Sequence, residues 1–375
     1  MQFRDLKKQY EILKPQIDNA IFDVINESNF IIGRQVNELE KKLSTYVGRK
    51  YCVSCANGTD ALILALMAMG IGVGDAVLVP DFTYIATASS VSFVGATPIF
   101  VDINLDTFNM SPESLEETIK KINIEGKYNL KAIIPVDLFG LSADYGSILN
   151  IARKYGLKVI EDAAQGFGGN INGKMACSFG DISCTSFFPA KPLGCYGDGG
   201  AIFIDDENVY NLLKSLRANG KSETDKYDNV RIGMNSRLDT LQAAVLLVKF
   251  DEFVKSELDK VNNVAKKYNN KLNKSYKTPF IPNGYYSSFA QYTILCRDEN
   301  ERDTLKKKLS DEDVPSMIYY PRGLHTQKCF ANLDTSYNSF SNSIDATKRV
   351  LSLPMHPYMN DNDIDKVCAI LNSVE

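Results

Sequence analysis

Tryptophan is missing from the chain, and histidine occurs only twice, as His325 and His356. With two imidazoles and one close cysteine pair, Cys52-Val53-Ser54-Cys55, no zinc quartet can be assembled from a recognisable motif, so no metal site is expected. No G-x-G-x-x-G follows the first strand and no G-x-x-x-x-G-K-[ST] occurs anywhere, which argues against a nicotinamide dehydrogenase and a nucleoside triphosphatase. Long apolar runs are lacking: the longest, Ala61 to Met69, is far short of the roughly 18 residues that suggest a membrane span. Met1-Gln2-Phe3-Arg4-Asp5 runs straight into charge without a signal-peptide core, so a cytoplasmic protein with no membrane contact is expected. An excess of positive charge is lacking too. The 42 basic and 46 acidic residues leave a net charge of −4, which argues against a nucleic-acid partner and requires any anionic ligand to meet a local cationic pocket.

What is present is core-forming material. The 375 residues are 44% apolar and 23% charged, enough for two domains of about 150 residues or somewhat more each. The eight cysteines are spread along the chain and read as reduced, mostly buried thiols. Over the first two-thirds, short apolar strands alternate with helices. Strands are predicted at Tyr51–Ala56, Ala76–Val79, Pro98–Ile103, Ala132–Val136, Lys158–Glu161, Ile182–Phe188 and Ala201–Ile204. Helices are predicted to end at Gly48, to cover Ala61–Met69 and Ile85–Val94, to start at Ser111-Pro112, and to cover Ala143–Tyr155. This alternation indicates an α/β fold with a mostly parallel sheet covered on both faces. After about residue 250 the texture changes to a long polar helix, Asp251 to about Leu272, the strands Phe289–Cys296 and Met317–Tyr320, and helices near Thr304–Leu309 and Ile364–Leu371. A large domain over residues 1–250 and a smaller α+β domain over 251–375 are therefore expected.

In an open parallel sheet, ligands bind beyond the carboxyl ends of the strands. Four such ends are unusual. Asn57-Gly58-Thr59 opens a helix, where free N–H groups and a hydroxyl suit a phosphate. Pro80-Asp81-Phe82-Thr83-Tyr84 offers an aromatic ring to a planar ligand. Glu161-Asp162-Ala163-Ala164-Gln165-Gly166 ends an apolar strand in carboxylates and an amide, which could face a buried cation. Ser186-Phe187-Phe188-Pro189-Ala190-Lys191-Pro192-Leu193-Gly194 places a lysine among prolines and glycines, where desolvation would lower its pKa and make it nucleophilic. Lysine, acid and phosphate cradle together suggest pyridoxal 5′-phosphate, which needs an amine for its aldehyde, a carboxylate for its ring nitrogen and donors for its phosphate.

These segments, with Phe82-Thr83-Tyr84-Ile85-Ala86-Thr87-Ala88, Asn235-Ser236-Arg237-Leu238-Asp239 and Leu353-Pro354-Met355-His356-Pro357, resemble the DegT/DnrJ/EryC1/StrS sugar aminotransferases in order across nearly the whole chain. The resemblance implies the fold-type-I architecture of the aspartate aminotransferase superfamily, a homodimer with shared sites, and amino transfer from L-glutamate to a nucleotide-linked keto-hexose. It implies that Lys191 bonds to the cofactor aldehyde and later carries the proton, and that Asp162 keeps the pyridine nitrogen protonated. It further implies that Gln165 donates to the ring oxygen, that Tyr84 stacks on the ring, and that Gly58, Thr59 and Ser186 hold the phosphate with Asn235 of the other subunit. The run Thr185 to Ala201 looks most like members that aminate C3 of UDP-2-acetamido-2-deoxy-3-keto-glucuronate for surface polysaccharides such as O-antigen. Arg237, Tyr319 and Arg322 are the candidate acceptor contacts, although those uronate enzymes carry histidine where Tyr319 stands. A dTDP-linked 3-keto or UDP-linked 4-keto sugar is the alternative acceptor, and a non-catalytic sugar-nucleotide binder the alternative class.

Overall fold

The computed structural model describes residues 1–225 and 227–373. Two helices, α1 (Leu6–Glu27) and α2 (Arg34–Val47), lead into β1 (Tyr51–Cys55), α3 (Gly58–Ala68), β2 (Asp75–Pro80), α4 (Ala86–Phe93) and β3 (Thr97–Val101). The alternation continues through α5 (Pro112–Glu125), β4 (Asn129–Ile133), α6 (Tyr145–Tyr155) and β5 (Lys158–Asp162). Two short strands, β6 (Asn170–Ile171) and β7 (Lys174–Met175), precede β8 (Ile182–Ser186), β9 (Gly200–Ile204), α7 (Glu207–Leu216) and α8 (Thr240–Glu252). The remainder comprises α9 (Leu258–Lys271), β10 (Tyr285–Tyr286), β11 (Tyr292–Leu295), α10 (Glu299–Asp311), α11 (Ser341–Arg349), β12 (Val350–Leu353) and α12 (Asp361–Asn372).

The main sheet has the order β1-β9-β8-β5-β4-β2-β3. Its four pairings from β8 through β5, β4 and β2 to β3 are parallel, while β9 runs antiparallel to both β1 and β8. One apolar cluster built on β2, β4, α3 and α5 covers one face, and a second, from α2, Phe187, Phe203 and α8, covers the other. Burial on both faces explains why the strands read as continuous apolar runs. All eight cysteines are free, and all but Cys329 are buried. Among the described residues no helix is long and apolar enough to cross a membrane.

The small C-terminal body packs α9, α10 and α12 against the antiparallel pair β11–β12. Residue 250 falls within a helical run, because α8 passes through a π-turn at Phe253–Glu257 directly into α9. Leu324, Phe330, Tyr337 and Phe340, although beyond residue 251, join the larger core. They cover the sheet edge: the Tyr337 hydroxyl accepts the Phe100 N–H of edge strand β3 at 2.8 Å, and Phe330 meets the Phe100 ring edge-on at 5.4 Å. Beyond residue 250, both predicted strands are shorter than their apolar runs. Phe289 takes a left-handed φ of +44° where Ser288 N–H bonds to the Gly140 carbonyl, so β11 begins only at Tyr292. The run Met317–Tyr320 pairs only at Met317, opposite Ser352, before its tyrosines turn into an aromatic cluster.

Candidate active site

The carboxyl ends of β1, β2, β5 and β8 bring together the segments singled out in the sequence. Strand β5 ends in two carboxylates that alternation sends to opposite faces. Glu161 is consumed structurally, accepting from the N–H groups of Cys177 (2.6 Å) and Phe179 (2.7 Å) and from the Ser183 hydroxyl (2.7 Å). Asp162, 4% exposed, faces the site. Thr87 Oγ1 donates to one of its oxygens at 2.9 Å and Ala164 N–H to the other at 3.2 Å. Burial pushes its pKa up, opposed by these two bonds and by the charge of Lys191. A buried carboxylate with a cation as its electrostatic neighbour can receive a second, ligand-borne cation.

Lys191 is half-buried on the turn after β8, and desolvation lowers its amine to about 8, against the opposing pull of Asp162 and with the help of Arg4. At pH 7 about a tenth of such an amine is already neutral, against well under a thousandth at the ordinary lysine pKa, and the neutral form is the one that attacks a carbonyl.

Helix α3 starts three residues earlier than predicted, which places Gly58 and Thr59 in its first turn, where N–H groups suit an anion. Asn57 takes the N–H groups of Asp60 (2.8 Å, through its side chain) and Ala61 (3.1 Å, through its carbonyl). The Gly58 and Thr59 N–H groups have no hydrogen-bond partner among the described residues. A Cβ on Gly58 would lie 2.7 Å from Ser186 Cβ, so the absence of a side chain is what lets the helix start approach the end of β8.

Gln165, 3% exposed, is locked in orientation. Phe139 N–H donates to its Oε1 at 2.8 Å, leaving Nε2 as the donor, which bonds to the Tyr320 hydroxyl at 3.1 Å. Phe139 holds that N–H in place with a left-handed φ of +58°, the kind of backbone cost that persists where the surroundings over-determine it. Tyr84, 56% exposed, presents its ring near Tyr320, with centroids 6.4 Å apart. Asn235 is exposed and accepts from Arg237 Nη2 at 2.6 Å. Its neighbour Ser236 accepts the Ala56 N–H at 3.2 Å, tying this loop to the end of β1. Tyr319 is half-buried, edge-on to Phe3 at 6.2 Å. Arg322 is exposed, and neither it nor Arg237 has a carboxylate ion-pair partner among the described residues.

Several contributors stand outside the residues given a role from the sequence. Thr87 orients Asp162 from α4, and Tyr320 reaches Gln165 from 155 residues away. The buried Asp81 accepts both the N–H and Nδ1 of His325 at 2.7 Å, which anchors the turn bearing Arg322 to the end of β2. Thr87 and Asp81 had a usable clue, lying within the segments Phe82–Ala88 and Pro80–Tyr84 already marked by Tyr84.

A nucleophilic amine, a buried carboxylate, a fixed amide donor and an open helix start on one sheet edge fit pyridoxal 5′-phosphate group by group. Fold and site together define an α/β, fold-type-I, pyridoxal-phosphate-dependent transferase. The chain belongs to the DegT/DnrJ/EryC1/StrS aminotransferase family, whose model matches residues 11–372, and is a pyridoxal-phosphate-dependent sugar aminotransferase. It is 43% identical to a UDP-2-acetamido-2-deoxy-3-oxo-D-glucuronate aminotransferase of Pseudomonas aeruginosa, with all of both chains covered. It is 39% identical to a UDP-N-acetyl-3-dehydro-alpha-D-glucosamine 3-aminotransferase of Acidithiobacillus ferrooxidans, covering 98% of this chain and 96% of that one. A solved family member from Brucella abortus superposes with a TM-score of 0.96 at 47% identity, covering 99% of this chain and 98% of that one.

Proposed function

We propose that this enzyme transfers an amino group from L-glutamate to C3 of UDP-2-acetamido-2-deoxy-3-keto-glucuronate, as a cytoplasmic homodimer serving a bacterial surface polysaccharide such as O-antigen. The observation that carries the reaction is the desolvated Lys191 amine within electrostatic reach of the buried Asp162 carboxylate. Pyridoxal phosphate, when bound, supplies an aldehyde and an electron sink. Lys191 holds that aldehyde and moves the proton between cofactor and substrate carbons. Asp162, held by Thr87 and Ala164, keeps a proton on the pyridine nitrogen. Gln165 Nε2 donates to the ring oxygen, Tyr84 lies against the ring, and Gly58, Thr59 and Ser186 take the phosphate.

The shared site draws support from the surface around Asn235. Phe30, Ile31 and Ile32 are each about two-fifths exposed, and the first two bond to the chain just beyond that loop, Ile31 bridging Asp239 and the Phe30 carbonyl accepting Thr240 N–H at 2.9 Å. Phe22 and Ile25 extend this apolar surface on α1, and a second subunit covering it would bring Asn235 to the neighbouring phosphate.

Two cations without carboxylate partners among the described residues, Arg237 and Arg322, support a uronate acceptor, because a sugar carboxylate would complete their pairing. A neutral 3-keto sugar is the second reading, favoured by the uncharged Tyr319 and by the relative named for UDP-N-acetyl-3-dehydro-glucosamine. Comparing kcat/KM for the UDP-linked 3-keto-uronate and its neutral analogue separates them. Arg237→Ala is expected to lower the uronate value roughly 10- to 100-fold, as loss of a charged hydrogen bond predicts, and the neutral value only a few-fold. Equal losses, or a wild-type preference for the neutral sugar, would transfer the conclusion to the second reading.

A further inference from the structure

The turn carrying Lys191 must hold an amine at one point although its backbone is neither helix nor strand. Part of its rigidity is internal. Lys191 N–H donates to the Phe188 carbonyl at 2.8 Å, and Gly194 lies so close beneath that a Cβ there would sit 2.4 Å from the Pro189 oxygen. The carbonyls of Lys191 and Pro192 point away from this turn and need donors from elsewhere. Both are met by Arg4, whose Nη2 donates to them at 2.8 and 3.2 Å across 187 and 188 residues of sequence.

Arg4 is itself well anchored. The preceding Phe3 carbonyl accepts Met355 N–H from the small body at 3.1 Å, and Gln9 on α1 donates to both Glu257 oxygens at 2.9 and 3.2 Å. Arg4 forms no ion pair among the described residues. The charges facing it are those of Lys191, Lys249 and His356 when protonated, opposed by Glu257 and, when ionised, Tyr358. Lys191 in turn faces Asp162 and Arg4.

We propose that Arg4 is a positioning residue for the cofactor-binding lysine, its guanidinium clamping the Lys191 and Pro192 carbonyls and adding a fixed positive charge behind the amine. The clamp fixes where the side chain leaves the turn. The charge opposes protonation of Lys191, acting with burial and against Asp162. The inference rests on Lys191 being the lysine that bonds to the cofactor.

The test uses the full-length protein with two variants. Arg4→Gln removes the charge, while Arg4→Lys keeps it on a nitrogen one atom short of Nη2. Competitive acylation of the cofactor-free enzyme across pH, read on the Lys191 peptide by mass spectrometry, gives the amine's midpoint, expected at about 8 in the wild type. Arg4→Gln is expected to raise it by roughly half a unit to one unit, and Arg4→Lys to leave it within a few tenths. Circular dichroism of the lysine-bound chromophore reports the clamp and is expected to weaken in both variants. An unchanged midpoint in Arg4→Gln together with wild-type dichroism in both would overturn the proposal. If Arg4→Gln does not fold, Arg4→Lys decides: weakened dichroism at an unshifted midpoint supports the clamp, and a wild-type signal refutes it. Borohydride fixation of wild-type holoenzyme keeps the two readings apart. Cofactor on another lysine removes the parent assignment, whereas cofactor on Lys191 with unaltered variants removes only the role of Arg4.

Discussion

On the sheet side of the site, Asp162 and Gln165 are buried and each is oriented by a bond to a backbone N–H. On the loop side, Tyr84 and Arg322 are exposed, and Arg237 is bonded among the described residues only to the neighbouring Asn235. The first arrangement is preorganised for one ligand, because its groups keep their geometry whether or not that ligand is bound. The second consists of surface cations and rings whose final positions depend on what they meet. The difference suggests that the cofactor chemistry is built into the sheet, while acceptor choice resides in side chains that can vary without disturbing it.

Substitutions on the two sides should therefore behave differently. Asp162→Asn is expected to slow both half-reactions, with a loss on the order of 3 kcal/mol or roughly 100-fold, because it leaves a ligand cation buried without its counter-charge. Stopped-flow measurement of the glutamate half-reaction alone checks this, and a near-wild-type rate would remove Asp162 from its role. Gly58→Ala comes next, since its Cβ would meet Ser186 Cβ at 2.7 Å. Overpacking of this kind costs about 1–3 kcal/mol and should appear as weaker cofactor binding by equilibrium dialysis, with acceptor preference unchanged. Arg237→Ala, by contrast, should spare the glutamate half-reaction.

The smallest effect on catalysis is expected away from both sides, at a residue that acts on stability. His356 is buried and its pKa is lowered to about 4, mainly by desolvation, with Asp5 and Asp363 pulling upward and Arg4 downward. The unfolded chain, near the ordinary 6.5, therefore binds this proton first. The buried neutral imidazole costs nothing above pH 6.5, and stability is lost as pH falls from there toward 4. At pH 5 the loss is about 2 kcal/mol, and His356→Asn should remove that part of the pH dependence in urea titrations without altering acceptor preference.

The same division governs what could be read from the sequence. Asp162, Gln165, Ser186 and Lys191 all end or follow apolar strands whose length and burial set where the sheet ends, so chain order was enough to bring them to one edge. Periodicity could not separate Asp162 from Glu161 without knowing which face each occupies. Contacts between distant segments left no local trace: Asp81 meets His325 across 244 residues, and Arg4 reaches the Lys191 turn across 187. Likewise, residues 324–340 joined the larger core because an edge strand needed covering, which no feature of that segment announces.

The most direct test is to fix the holoenzyme with borohydride before and after adding L-glutamate and to map the cofactor-bearing peptide. Before glutamate the cofactor should be fixed to Lys191, and after glutamate that adduct should vanish; in Lys191→Ala it should be absent throughout, with transamination reduced roughly 10³-fold or more. Cofactor fixed to any other lysine, or a Lys191→Ala variant turning over at the wild-type rate, would contradict the assignment of this sheet edge as the reacting centre.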